Sequence, residues 1–300
     1  MDVAIIGTGE AARRFAKAAV SGSVVTGHGT GEAADGAPAI SLFGSEATAV
    51  MDAIDAIEEA LGAAAEPQPT ARLDRIDGTT DLEAAVEDAA IVIETREDDV
   101  ETIRDRLAAV EEEVGPDVVL ATCIDRAEMT AIAVGLERPG RAVGLSTVAA
   151  DGDPGVIEIV RADQTDDRAV ETAAGFVREL GWTPVAVHDV PGLLSRRLQL
   201  ALEAEAMRAV EADVATPAEV DAVMEAGFGH VEGALASADR AGLADRLAAM
   251  EELADELGPR FEPPAVLDAK VDAGQLGEAT GEGFRVWEQE STNDGTENDG

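Results

Sequence analysis

The chain is 300 residues long and 46% hydrophobic, enough apolar side chain for a substantial core in two domains. Its formal net charge of -40, from 62 Asp+Glu against 22 Lys+Arg, repels nucleic acid and anionic membrane, so neither is expected as a partner. Cys123 is the only cysteine, which excludes an intrachain disulfide, and no apolar run reaches the roughly 18 residues of a membrane span.

So acidic a surface suits a halophilic protein in a salt-rich cytoplasm, where carboxylates keep it hydrated and counterions screen their repulsion at short range. The first apolar run, Val3–Ile6, is too short for a signal-peptide core and lacks a basic flank. A cytoplasmic location is therefore expected.

The opening stretch VAIIGTGEAARRFAKAA, Val3 to Ala19, combines an apolar strand, a glycine turn and a helix. Gly7, Gly9 and Ala12 spell G-x-G-x-x-A. In that pattern the first glycine makes the tight turn, the second lets a pyrophosphate approach the backbone at the helix N-terminus, and the third position lies where helix meets strand. Because it follows a strand and opens a helix, the motif predicts dinucleotide binding, or descent from a dinucleotide binder. An acidic residue for the ribose hydroxyls is due about 20 positions on, at the end of the second strand. That strand is expected at Val24–Thr26, in VVTGHG, so His28 or a glycine stands where the acid should be. His28 could donate to a ribose hydroxyl or stack on adenine; as a surface-loop histidine it would do neither.

Glu46–Leu61 reads as a helix and the following EPQPT as a loop. Further strands are expected at Ile91–Ile93, Val118–Ala121, Ala142–Leu145, Val156–Val160 and Pro184–Val187. Val100, Ile103, Leu107, Val110 and Val114 recur at spacings of three and four, one apolar face of a helix. This alternation predicts an α/β fold with a largely parallel, doubly wound, Rossmann-type sheet.

At Pro191 and Gly192 the pattern breaks, and helical periodicity follows with no further strand-like runs. Leu198, Leu202, Ala206 and Val210 share one helical face. Thr216, Pro217 and Glu219 give an N-cap, a first-turn proline and a capping box, and Gly227 is expected to close that helix. The polar, acidic EQESTNDGTENDG at the end reads as a disordered tail. The expected organisation is a Rossmann-type domain over 1–189, an all-helical domain over 190–287 and a tail over 288–300.

Several stretches together resemble the NAD-dependent L-3-hydroxyacyl-CoA dehydrogenases: IIGTGEAA, DLEAAVEDAAIVIET, RPGRAVGLS, GVIEIVRADQT, LGWTPVAVHDVPGLLSRR, GFGHVEGALASADRAGL and GQLGEATGEGF, in the family's order and spacing over nearly all of residues 1–287. The resemblance implies a nucleotide domain that binds NAD and a helical domain that makes homodimers, with an acyl-CoA substrate in the cleft between them and no metal. It also implies a general base for the 3-hydroxyl proton, supplied in the family by a histidine of G-x-H-F-F-N-P and oriented by a glutamate twelve residues later. Here Ser146 occupies the histidine position, while Glu158 keeps the glutamate position. A serine hydroxyl is no base near neutral pH unless another group activates it. Asp125 stands at the second serine of the family's S-N-T-S turn, and Ser195 at the asparagine of its G-F-x-x-N-R element. His188 and His230 are candidate replacement bases, and Cys123 reads as a small buried residue near the cofactor.

The expected function is that of a 3-hydroxyacyl-CoA dehydrogenase in fatty-acid metabolism, with weakened activity. The alternatives are a non-catalytic nucleotide- or acyl-CoA-binding homologue, or a dehydrogenase for another hydroxy acid.

Overall fold

The computed structural model describes residues 1–21, 39–63, 73–96, 98–126, 128–148 and 155–287. The expected strand at Val24–Thr26, His28, the EPQPT loop and the 288–300 tail lie outside the described residues. The chain divides into two compact units, Met1–Leu193 and Leu194–Gly300.

The first unit is built on β1 (Val3–Ile6), α1 (Glu10–Ser21), β2 (Ile40–Phe43), α2 (Ala47–Ala63), β3 (Ile76–Thr79), α3 (Leu82–Val86), β4 (Ile91–Glu94), α4 (Val100–Glu113), β5 (Val119–Cys123), α5 (Met129–Ala133), β6 (Ala142–Val148), β7 (Val156–Arg161), α6 (Asp167–Glu179) and β8 (Thr183–His188). The strands form one sheet in the order β3-β2-β1-β4-β5-β6-β7-β8. Every neighbouring pair is parallel except β6–β7.

Parallel strands covered on both faces must be apolar on both, and VAII is buried at all four positions. Val3, Ile5, Leu42, Ile93 and Ile159 pack on the face that holds α1, α2 and α6. Ala4, Ile6, Val92, Leu120 and Val160 face the other way, toward α4 and α5. Phe15 of α1 lies against Phe176 and Trp182, with ring centroids 6.2 and 5.6 Å away. The expected apolar face of α4 buries Ile103, Leu107 and Val110, and the Asp99 side chain accepts the Thr102 N–H to cap the helix.

The strand beside β1 is Ile40–Phe43, in register from Val3↔Ile40 to Ile6↔Phe43. This corrects the expected position of the second strand at Val24–Thr26. Counting about 20 residues from the glycines assumed a short connection after α1, whereas β2 begins much later.

The second unit contains α7 (Ser195–Glu211), α8 (Pro217–Ala222), α9 (Ala234–Ala241), α10 (Leu243–Leu257) and α11 (Ala265–Asp272). The capping box is formed: Thr216 accepts the Glu219 N–H, and the Glu219 carboxylate accepts from the Thr216 backbone. Gly227 ends a single π-helical turn, and the left-handed position that stops the chain is Gly229, at φ 79°. The stripe expected on α7 is offset. Leu200, Ala204 and Met207 enter the core, whereas Leu198 and Leu202 are 63% and 42% exposed. Asp239 fastens the end of the unit, accepting the Phe284 and Arg285 backbone N–H groups and the Trp287 indole N–H.

Candidate active site

β1 ends between β2 and β4, at the point where the strand order reverses, so the turn after Ile6 opens at the crevice where doubly wound sheets hold ligands. The Gly7 N–H donates to Phe43 O at 2.9 Å, and its φ of +124° suits only glycine. A side chain there would also strike Thr95 Oγ1. Gly9 differs. Its carbonyl takes the first helical bond, from Arg13 N–H at 3.1 Å, and a Cβ at Gly9 would meet nothing within 4 Å. Open space therefore lies before the α1 N-terminus, whose first N–H groups point outward as an anion site requires. Ala12 is fully buried, so the third motif position serves packing. The turn fits the diphosphate of a dinucleotide.

β4 places an acid beside this turn. Glu94, paired with Ile6, is fully buried. Its carboxylate accepts from Arg96 Nε at 2.9 Å, Arg106 Nη1 at 3.1 Å and the Thr122 hydroxyl at 3.5 Å. Arg106 also pairs with Asp98. The Thr95 N–H and hydroxyl both donate to Ile6 O, at 3.0 and 2.9 Å. These contacts pin the loop after β4 to the glycine turn. The sequence reading passed over this network; its signal was an acid closing an apolar strand, IVIE, with arginines two and twelve residues on.

A cavity of about 840 Å³ in the first unit is lined by Glu10, Cys123, Asp125, Ser146 and Thr147 among others. Ser146 is 8% exposed and lies directly opposite Glu158, itself 1% exposed, in the antiparallel β6–β7 ladder. Opposed residues on neighbouring strands share a face, with Cβ atoms about 4.5–5.5 Å apart. The hydroxyl and the carboxylate are therefore neighbours. Asp125 is exposed and pairs with Arg126 Nε at 3.5 Å. Cys123 is partly buried against the core.

Within the first unit, His188 does not join this group. Because β7 runs against β6, β8 ends at the opposite end of the sheet from the glycine turn. The row of Ser146 continues through Glu158 to Val185, while His188 is level with Arg161 and Val143. His188 is thus three residues, about 10 Å, farther along the strands. It is exposed on the edge strand, away from Ser146 and Glu158. In the second unit Ser195 begins α7, and His230 is exposed with its N–H on Met224 O at 3.1 Å. Among the described residues no helix is long and apolar enough to cross a membrane.

Residues 2–190 match the family model "3-hydroxyacyl-CoA dehydrogenase, NAD binding domain", and residues 192–287 match "3-hydroxyacyl-CoA dehydrogenase, C-terminal domain". A protein of Deinococcus radiodurans named "probable 3-hydroxybutyryl-CoA dehydrogenase" is 32% identical over 217 residues, covering 72% of this chain and 78% of that one. The 3-hydroxybutyryl-CoA dehydrogenase of Mycobacterium tuberculosis is 31% identical over 213 residues, 70% and 74% of the two chains. The crystal structure of the (S)-3-hydroxybutyryl-CoA dehydrogenase of Ralstonia eutropha superposes with a TM-score of 0.80 at 26% identity, covering 96% of this chain and 99% of that one.

Proposed function

The chain belongs to the 3-hydroxyacyl-CoA dehydrogenase family, with that family's NAD binding domain, and from this premise we propose that it moves a hydride between NAD and a 3-hydroxyacyl-CoA of fatty-acid metabolism, slowly. Gly7 and Gly9 would hold the cofactor's diphosphate against the α1 N-terminus, and bound NAD supplies the hydride acceptor. The observation that carries the proposal is Gly9. Gly7 is explained by φ and by Thr95, but nothing in the fold crowds Gly9. A ligand approaching the backbone accounts for a glycine there.

The slowness follows from Ser146. Its hydroxyl can donate to or accept from a substrate oxygen, yet it cannot take the 3-hydroxyl proton near neutral pH by itself. Glu158 keeps the place of an orienting carboxylate. Through the resemblance, Asp125 is assigned to substrate contact and Ser195, in place of the family asparagine, to the catalytic group with Ser146 and Glu158. The expected readout is NADH oxidation with acetoacetyl-CoA in molar KCl, low in wild type and raised in Ser146→His. Rapid wild-type turnover would refute the proposal.

Ser146 itself favours a second reading, a non-catalytic binder of nucleotide or acyl-CoA; binding of NADH with no turnover in either protein would select it. A dehydrogenase for another hydroxy acid would need a base not yet located. We further assign the chain to a salt-rich cytoplasm, on its net charge of -40, and infer a homodimer through the helical domain. Leu198, Leu202 and Phe228, exposed at 63%, 42% and 74%, offer the apolar surface for it. Sedimentation in molar KCl tests the dimer.

A further inference from the structure

The adenosine end of a dinucleotide site is governed by the residue just past the second strand. There an Asp or Glu takes the ribose 2′-hydroxyl of NAD, and where NADP is bound an arginine accommodates the 2′-phosphate instead. In this chain the register Ile6↔Phe43 and the bond from Gly7 N–H to Phe43 O make residue 44 the first beyond β2, level with the glycine turn. That residue is Gly44.

The carboxylate is absent, and the space for its stem is filled. A Cβ on Gly44 would stand 2.8 Å from Thr8 Cγ2 and 2.8 Å from Val50 Cγ2, closer than side chains tolerate. One methyl comes from the middle of the glycine turn and the other from α2. The next residue, Ser45, is exposed and neutral. Glu46 is exposed, and its carbonyl accepts the Val50 N–H at 3.2 Å as α2 begins. The end of β2 thus presents a hydroxyl at Ser45, which can hydrogen-bond to a ribose hydroxyl or to a phosphate, and no charge at residues 44 and 45, where the acid of an NAD site would stand.

We propose that Gly44 determines cofactor choice in this chain by removing the discrimination against a 2′-phosphate, so that NADPH is accepted alongside NADH. The proposal rests on the reading of the glycine turn as a working dinucleotide site, and goes beyond it by setting which dinucleotides enter.

Calorimetric titration of the full chain with NADH and with NADPH tests it. The titrations belong in molar KCl, where the Debye length is about 3 Å and the field of the whole acidic chain no longer penalises the extra phosphate. The two Kd values should agree within about threefold, since among the described residues at the end of β2 neither ribose form meets a charge at positions 44 and 45. NADH tighter by about tenfold or more, roughly 1.4 kcal/mol, would overturn the proposal and leave the dinucleotide site standing. Binding of neither would overturn both. Gly44→Asp combined with Thr8→Ser, which removes one obstructing methyl, should raise the ratio of NADPH to NADH Kd by about tenfold through carboxylate–phosphate repulsion. A folded double variant with an unchanged ratio would also overturn it. Should that variant not fold, the wild-type ratio decides alone.

Discussion

The turn after β1 and the Ser146–Glu158 pair belong to one sheet, yet the fold demands different things of them. At the turn, Gly7 is required by its own backbone angle and by Thr95, and Ala12 by packing, so the motif is largely held in place by the fold. At the β6–β7 pair the fold sets the register and the burial, but no backbone angle there dictates the residue type. Geometry survives where packing enforces it, whereas the chemistry of a side chain is free to change when only a substrate depends on it. Gly9 is the exception at the turn, because nothing within 4 Å of its Cβ position requires a glycine.

That exception gives the largest expected effect. Gly9→Val should lower NADH affinity by about 100-fold or more by obstructing backbone approach, while the melting temperature changes little because nothing lies within 4 Å of the Cβ position. Equal NADH affinity in calorimetry for wild type and variant would show that the turn is a packing relic. A large loss of stability would instead show that the fold does constrain Gly9.

The second test acts on the other region. A positioned general base contributes roughly 10²–10⁴-fold. Ser146→His places an imidazole opposite Glu158, which can fix its tautomer and stabilise its charged form. A gain of about 10–100-fold is expected, short of the full factor because, on the proposed assignment, Asp125 and Ser195 also stand in place of the family's residues. Glu158→Gln in the Ser146→His background should cancel most of that gain. If Glu158→Gln slowed the wild type by as much, the carboxylate would have a role independent of a histidine.

How far the sequence disclosed this difference depended on which constraint was at work. β1 and β4 were legible because strands buried on both faces are almost wholly apolar, as VAII and IVIE are. β2, ISLF, is short and interrupted by Ser41, and β3, IDGT, is the polar edge strand whose Gly78 lies under Val50 and Ile54 of α2. Neither has a run that stands out, and spacing from the glycines points to His28, whereas the strand register puts Gly44 beside the turn. Ser146 and Glu158 were found through the family pattern alone; that they face each other is a matter of strand register, which their spacing cannot reveal. The Glu94 network joins residues from four elements or loops, and only the fold assembles it. His188 shows the converse: it was a reasonable candidate by residue type, but the antiparallel turn of β7 carries it to the wrong end of the sheet.

Salt should act on both regions alike, through the net charge of -40. The Debye length falls from about 30 Å at 0.01 M salt to about 3 Å at 1 M, which removes most self-repulsion. The melting temperature should climb by about 10 °C or more over that range, on the usual conversion of a few kcal/mol into degrees. A curve flat in KCl would separate the acidity of the chain from its stability.

The last test concerns a buried carboxylate that no substrate explains. Glu203, on α7 of the second unit, is 1% exposed like Glu158, and its nearest counter-charge is Arg246, whose Nε lies 3.1 Å away. Desolvation outweighs the attraction of Arg246 and pushes the Glu203 carboxyl up to about 7. A folded-state pKa above the unfolded value means that the folded protein holds the proton more tightly. The resulting stabilisation is complete below the ordinary glutamate range near 4.5 and is lost as pH rises through about 7. At 1.36 kcal/mol per pKa unit this is on the order of 3 kcal/mol. Glu203→Gln carries no titrating group, so its stability relative to wild type should rise by about that amount between pH 5 and pH 8. Urea unfolding at the two pH values in molar KCl measures the difference. The same offset at both would mean that Arg246 holds Glu203 ionised throughout, and that burial does not decide the charge of an acid in this helical unit.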